Sequence, residues 1–117
     1  LVIYRFGAPI YFPNAHLLLE DATRLVETAQ PPLRWFVLNA ETINDIDITG
    51  AKALGQVIKL LAERQVTFAI ARAHAPVLEL LERYELLHLI GEDRLYHTNL
   101  AAVDAYQRSA QASLEQE

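Results

Sequence analysis

The sequence contains no cysteine and no methionine. The first absence excludes a disulfide scaffold, a thiolate metal site and a cysteine nucleophile, and it fits a reducing compartment. The second, in a chain that opens on Leu1, is what a segment taken from a longer protein would have. Glycine is scarce, four residues in 117, and too dispersed for a glycine-rich phosphate loop. The only serines, Ser109 and Ser113, stand in the polar C-terminal region, so there is no Gly-x-Ser-x-Gly nucleophile motif. His16, His74, His88 and His97 are never three or four apart, which leaves no helical metal pair. The ten Lys and Arg residues form no run, and the net charge is −5, which argues against nucleic acid as a partner. No apolar stretch approaches the ~20 residues that span a bilayer. Arg5 interrupts the first one, and no signal peptide is visible. On these counts the chain is expected not to be an enzyme, and neither metal nor resident cofactor is expected.

What is present is core material: 52% of residues are hydrophobic and 21% charged, enough for one domain with one core. Residues 1–6 and 10–12 are rich in strand formers and separated by Gly7-Ala8-Pro9, which predicts an initial antiparallel β-hairpin. Asn14 is placed to cap a helix over 15–29, whose apolar residues recur at helical spacing. Pro31-Pro32 stops it. Residues 33–38 are nearly continuously apolar, the pattern of a strand covered on both faces. A second amphipathic helix is read over 51–64, a strand over 66–71, a third helix from Ala75-Pro76, a short edge strand at 94–96 and a last helix from 100 to about 112. Residues 110–117 are expected to fray. The fold expectation is therefore α/β: one domain spanning 1–117, a mixed, mainly parallel sheet of four to five strands, and about four helices.

The candidate site is the junction Asn39-Ala40-Glu41-Thr42-Ile43-Asn44-Asp45-Ile46-Asp47-Ile48-Thr49-Gly50 between the covered strand and the second helix. The first N–H groups of a helix are unpaired and its dipole favours negative charge, so this corner suits a carboxylate, a phosphate or a phosphorylated side chain. Thr49 is the hydroxyl there, Asp47 the acid that would shape the loop, and Gly50 the residue that would admit a close backbone approach by a ligand or partner. Asp45 and Lys52 complete the set of candidate contacts. The plainer alternative makes Asp47 or Thr49 an N-cap and Asp45 a solvated loop acid. A receiver domain or Mg²⁺ site would need further acids and a lysine, which Phe12-Pro13-Asn14 and Ala71-Arg72-Ala73-His74 do not supply. Trp35 and the aromatics Tyr4, Phe6, Tyr11 and Phe12 are read mostly as core; Tyr11 and Phe12 have two readings, burial under the first and last helices or contact with a partner on the open face of the hairpin.

The element order, with Asp47-Ile48-Thr49-Gly50 before the second helix, resembles a STAS domain from Val2 to about Tyr106. Such domains occur in bacterial anti-sigma factor antagonists and at the cytoplasmic C-terminus of SulP (sulfate permease) anion transporters. The opening Tyr4-Arg5-Phe6, Pro9, Tyr11-Phe12 and Asn14-Ala15 is similar to the SulP branch, as are Leu86-Leu87, Ile90-Gly91-Glu92-Asp93 and Leu95-Tyr96 near the end. Pro13 and Glu85 depart from it, standing where a small residue and a glycine are common. The resemblance implies a regulatory and interaction domain on the cytoplasmic side of a membrane transporter. Its implied partners are the transmembrane part of the same chain, a second copy, or a soluble protein. It also implies Thr49 as a phospho-acceptor by match to the antagonists, and a nucleotide as a ligand class for the same corner. The alternative it leaves open is a free-standing, antagonist-like switch protein phosphorylated on Thr49.

Overall fold

A computed structural model describes residues 1–11 and 13–116. Its sheet has four strands in the order β1-β2-β3-β4: β1 (Val2–Arg5), β2 (Trp35–Asn39), β3 (Thr67–Ala71) and β4 (Leu95–Tyr96). Every pairing is parallel, with Val2 opposite Phe36 and Phe36 opposite Phe68. Five α-helices connect and cover it: α1 (Ala15–Thr28), α2 (Ile48–Glu63), α3 (Ala75–Arg83), α4 (Leu87–Ile90) and α5 (Asn99–Gln116), with a 3-10 turn at Glu92–Arg94. The last helix thus runs four residues past its predicted end. No helix among the described residues is long and apolar enough to cross a membrane.

Crossovers between parallel strands turn one way, so a sheet whose strands follow chain order carries its crossover helices on one face. The packing follows that rule. Phe36, Leu38, Phe68 and Ile70 join residues of α1 to α4 in the larger core, while Trp35, Val37, Ala69 and Ala71 meet Ala102 and Tyr106 of α5 on the other face. All five residues of β2 are consequently buried, as its unbroken apolar run predicts. The half-buried Tyr4 hydroxyl donates to the Asp21 carboxylate on α1. Burial first, and that hydrogen bond second, raise its pKa and keep it protonated.

Among the described residues the initial hairpin does not form, and the sheet is parallel throughout rather than mixed. Ile10 makes an isolated parallel bridge with Ile46 instead: its N–H donates to the Asp45 carbonyl (3.0 Å) and its carbonyl accepts from the Asp47 N–H (3.1 Å). Ile10 is wholly buried there. The physical reason is that β1 takes β2 as its partner through α1, while Pro9, lacking an N–H, cannot donate to a ladder. Phe12, the end of the predicted second strand, lies outside the described residues. Asn14 occupies the predicted cap position of α1, but its side chain braces the preceding turn, accepting from the Tyr11 N–H (3.0 Å) and donating to the Pro9 carbonyl (2.8 Å).

Glu85 links α3 to α4 with φ of 62°, in the left-handed region, and the Leu86 N–H returns to the Leu81 carbonyl at 2.9 Å. This is a helix C-terminal turn that glycine occupies without strain. Replacing Glu85 with glycine is therefore expected to raise stability by about 1 kcal/mol. Urea unfolding at unchanged m would show it as a higher midpoint; an unchanged or lower midpoint would mean that the glutamate side chain compensates the strain.

Candidate functional site

The site is assembled where β2 ends. Asn39, the last residue of β2, is the one buried polar side chain among the described residues, 4% exposed. Its amide nitrogen donates to Asn99 Oδ1 at the start of α5 (3.0 Å), and its Oδ1 accepts from the Glu41 N–H (3.0 Å). An unpaired buried amide costs about 1–3 kcal/mol, so this pair locks the strand end to both the loop and α5. The loop then folds inward on Ile43 and Ile46, both buried, and the Thr42 hydroxyl donates to the Phe6 carbonyl (2.9 Å).

Asp45, exposed, accepts the Ile46 N–H at 2.9 Å. Asp47 is the N-cap of α2, with backbone φ −87° and ψ 179°. Its carboxylate accepts the Gly50 N–H at 2.7 Å and its carbonyl takes the first helical bond from Ala51 (2.8 Å). The helix starts three residues before the predicted Ala51, which places Ile48, Thr49 and Gly50 in its first turn. Thr49 and Lys52 are exposed and lie three apart, on one side of the helix. The capping role offered to either Asp47 or Thr49 belongs to Asp47, and the Thr49 hydroxyl stands outside the cap.

Gly50 is buried, and a Cβ there would lie 2.2 Å from the Ile10 carbonyl oxygen. The close approach expected of a ligand or partner is thus made by the chain's own backbone. The requirement is space, since Gly50 does not adopt a positive φ. Around this packed corner two large apolar side chains face outward, Ile48 at 64% and Tyr11 at 42% exposed. The surface therefore combines a hydroxyl, a cation and two apolar groups over a rigid base.

A second group was not singled out from the sequence. Arg72 Nη2 pairs with Glu41 Oε1 at 3.3 Å, and His74 Nε2 contacts the Glu41 carbonyl at 3.0 Å. Both partners of the ion pair are more than 40% exposed, so it adds little stability. It does link the β2–α2 and β3–α3 loops, and Arg72 holds φ of 62°. Only the tertiary fold brings Arg72 and His74, 31 and 33 positions further on, to Glu41. All four histidines are exposed, and no group of three metal-ligating side chains occurs among the described residues.

A family model for the STAS domain matches residues 1–102. A probable sulfate transporter of Mycobacterium tuberculosis is 39% identical over 108 residues, which are 92% of this chain and 19% of that protein. The chain therefore spans about a fifth of the length of the relative it matches. The solved STAS domain of a SulP transporter from Vibrio cholerae superposes with a TM-score of 0.78 at 23% identity, over 94% of this chain and 83% of that one. A putative anti-sigma factor antagonist from Thermotoga maritima superposes with a TM-score of 0.74 at 16% identity, over 88% and 84%. Both likenesses are of fold.

The corner generates a graded series in stability. Gly50→Ala forces the Ile10 backbone away and is expected to cost about 2–3 kcal/mol. Asp47→Ala should cost about 1 kcal/mol, and Thr49→Ala less than about 0.5 kcal/mol. Chemical denaturation of the three variants checks the order; a Thr49 loss equal to that of Asp47 would contradict the division of roles.

Proposed function

The chain belongs to the STAS domain family, and on that footing we propose that it is the regulatory and interaction domain of a SulP-type, sulfate-class anion transporter, acting by docking rather than by catalysis. The observation that carries this reading is the sulfate-transporter relative, because that likeness rests on sequence whereas the antagonist likeness rests on fold alone. The domain then sits on the cytoplasmic side of the membrane. Its first partner is the transmembrane part of its own chain; a second copy or a soluble protein could engage the same face.

The docking surface is the outer side of the α2 corner. Ile48 and Tyr11 offer apolar area, and exposed apolar groups at a polar rim are what partner surfaces use. Thr49 supplies control. Phosphorylation there would add a charge of about −1.5 to −2 beside the apolar contacts, changing affinity by local electrostatics. A nucleotide at the helix start is the competing ligand reading, and titration with GTP or ATP that leaves the amide signals of 47–52 unmoved would remove it.

The test uses the full-length protein that contains this segment. Sulfate uptake is measured with Thr49→Ala, Thr49→Glu and Ile48→Lys. Thr49→Glu and Ile48→Lys should each change uptake severalfold at equal protein abundance, and Thr49→Ala should leave the unphosphorylated level unchanged. Identical uptake in all four proteins would refute docking through this corner. A full-length sequence without membrane-spanning helices would instead favour the antagonist-like switch phosphorylated on Thr49.

A further inference from the structure

At the opposite end of the sheet from the α2 corner lies a groove of about 890 Å³. It opens between the turn at 30–33, the starts of β2 and β3, and the later part of α5. Leu25, Leu33, Trp35 and Tyr106 contribute its apolar walls, and Arg34 and Arg64 its charge. The chain carries 15 acidic against 10 basic residues, yet among the described lining residues both charged groups are arginines. That is a local reversal of the molecule's overall sign.

Size decides what the groove suits. Small-molecule sites run to roughly 300–1,000 Å³. A bare oxyanion displaces only a few waters, at about 30 Å³ each, and would leave most of this space and all of the apolar wall unused. Charge decides which end binds where. The Arg64 guanidinium is 3.9 Å from the Glu27 carboxylate, with both side chains about half exposed, a pairing weak enough to be exchanged. Arg34 is exposed. Guanidinium groups grip a carboxylate through paired N–H donors. We propose that this groove binds an amphipathic carboxylate, its head on Arg34 and Arg64 and its apolar body along Leu25, Leu33 and Tyr106, over the buried Trp35.

Trp35 makes the proposal measurable. It is the single tryptophan of the chain, buried at 4% exposure, with Tyr106 5.7 Å away and Arg94 5.0 Å from its ring. Decanoate, kept below its micelle concentration, is expected to change Trp35 emission saturably. Decanol tests the need for the charge and sodium sulfate the need for the chain; decanol should bind at least about tenfold more weakly, and sulfate should give no saturable change. The Arg34→Gln/Arg64→Gln variant should lose about tenfold in decanoate affinity with its circular dichroism unchanged. Independently of any variant, decanoate should move the amide signals of Gln65, Thr67 and Ser109 and leave those of 47–52 in place. No saturable response to decanoate, equal binding of decanol, or shifts confined to the α2 corner would each overturn the assignment.

Discussion

The backbone of Ile10 is the piece on which the site depends. Its N–H and carbonyl are both spent on the β2–α2 loop, to Asp45 and Asp47. Its carbonyl presses on Gly50, where no side chain could fit. These contacts join the β1–α1 connection to the start of α2, so two segments 36 residues apart set one corner. Asp47 is held from both sides, by Ile10 through its own N–H and by Gly50 through its carboxylate. The first turn of α2 therefore has little freedom, and side chains projecting from it are presented at fixed positions. A partner meeting such a surface loses less conformational entropy than one that must order a loop.

The sheet supplies the rest of that rigidity. β2 is sealed on both faces, and its exit carries the buried Asn39–Asn99 pair. Because all four strands run parallel, their carboxyl ends and the loops that follow them gather at one edge. The Glu41–Arg72 and Glu41–His74 contacts join neighbouring loops along that edge. The arginine groove sits at the other edge, so a ligand bound there would not compete with a partner at the α2 corner for the same side chains.

Much of this was readable from residue order. The unbroken apolar run at 33–38 announced a strand covered twice, and the helical spacing of Leu18, Ala22, Leu54, Val57 and Leu61 announced the faces that are in fact buried. Periodicity reports which face is covered, not by what. That is why Ile10 reads as a hairpin residue: its apolar flanks are the same whether its partner is four residues away or 36. The start of α2 reads late for a related reason: Thr49 is polar and Ile48, although apolar, faces solvent, so neither marks a buried face. Asn39, Glu41, Arg72 and His74 gave no local signal beyond a polar residue closing an apolar strand, and their relation exists only after β2 and β3 pair.

If Thr49 is modified as proposed, the corner would separate stability from signalling. The negative charge favoured at a helix start is already supplied by Asp47, whose carboxylate is tied to the fold. A phosphate on Thr49, two residues further on, would gain from the helix dipole by about 0.3–1 kcal/mol, against a smaller repulsion from Asp47, which does not share its side of the helix. These opposing contributions leave the fold nearly indifferent to the modification. The surface is not indifferent, because the new charge stands beside Ile48, and burying an unpaired charge against an apolar partner is far costlier than either term. A site built this way can change its partner while the domain beneath it stays folded.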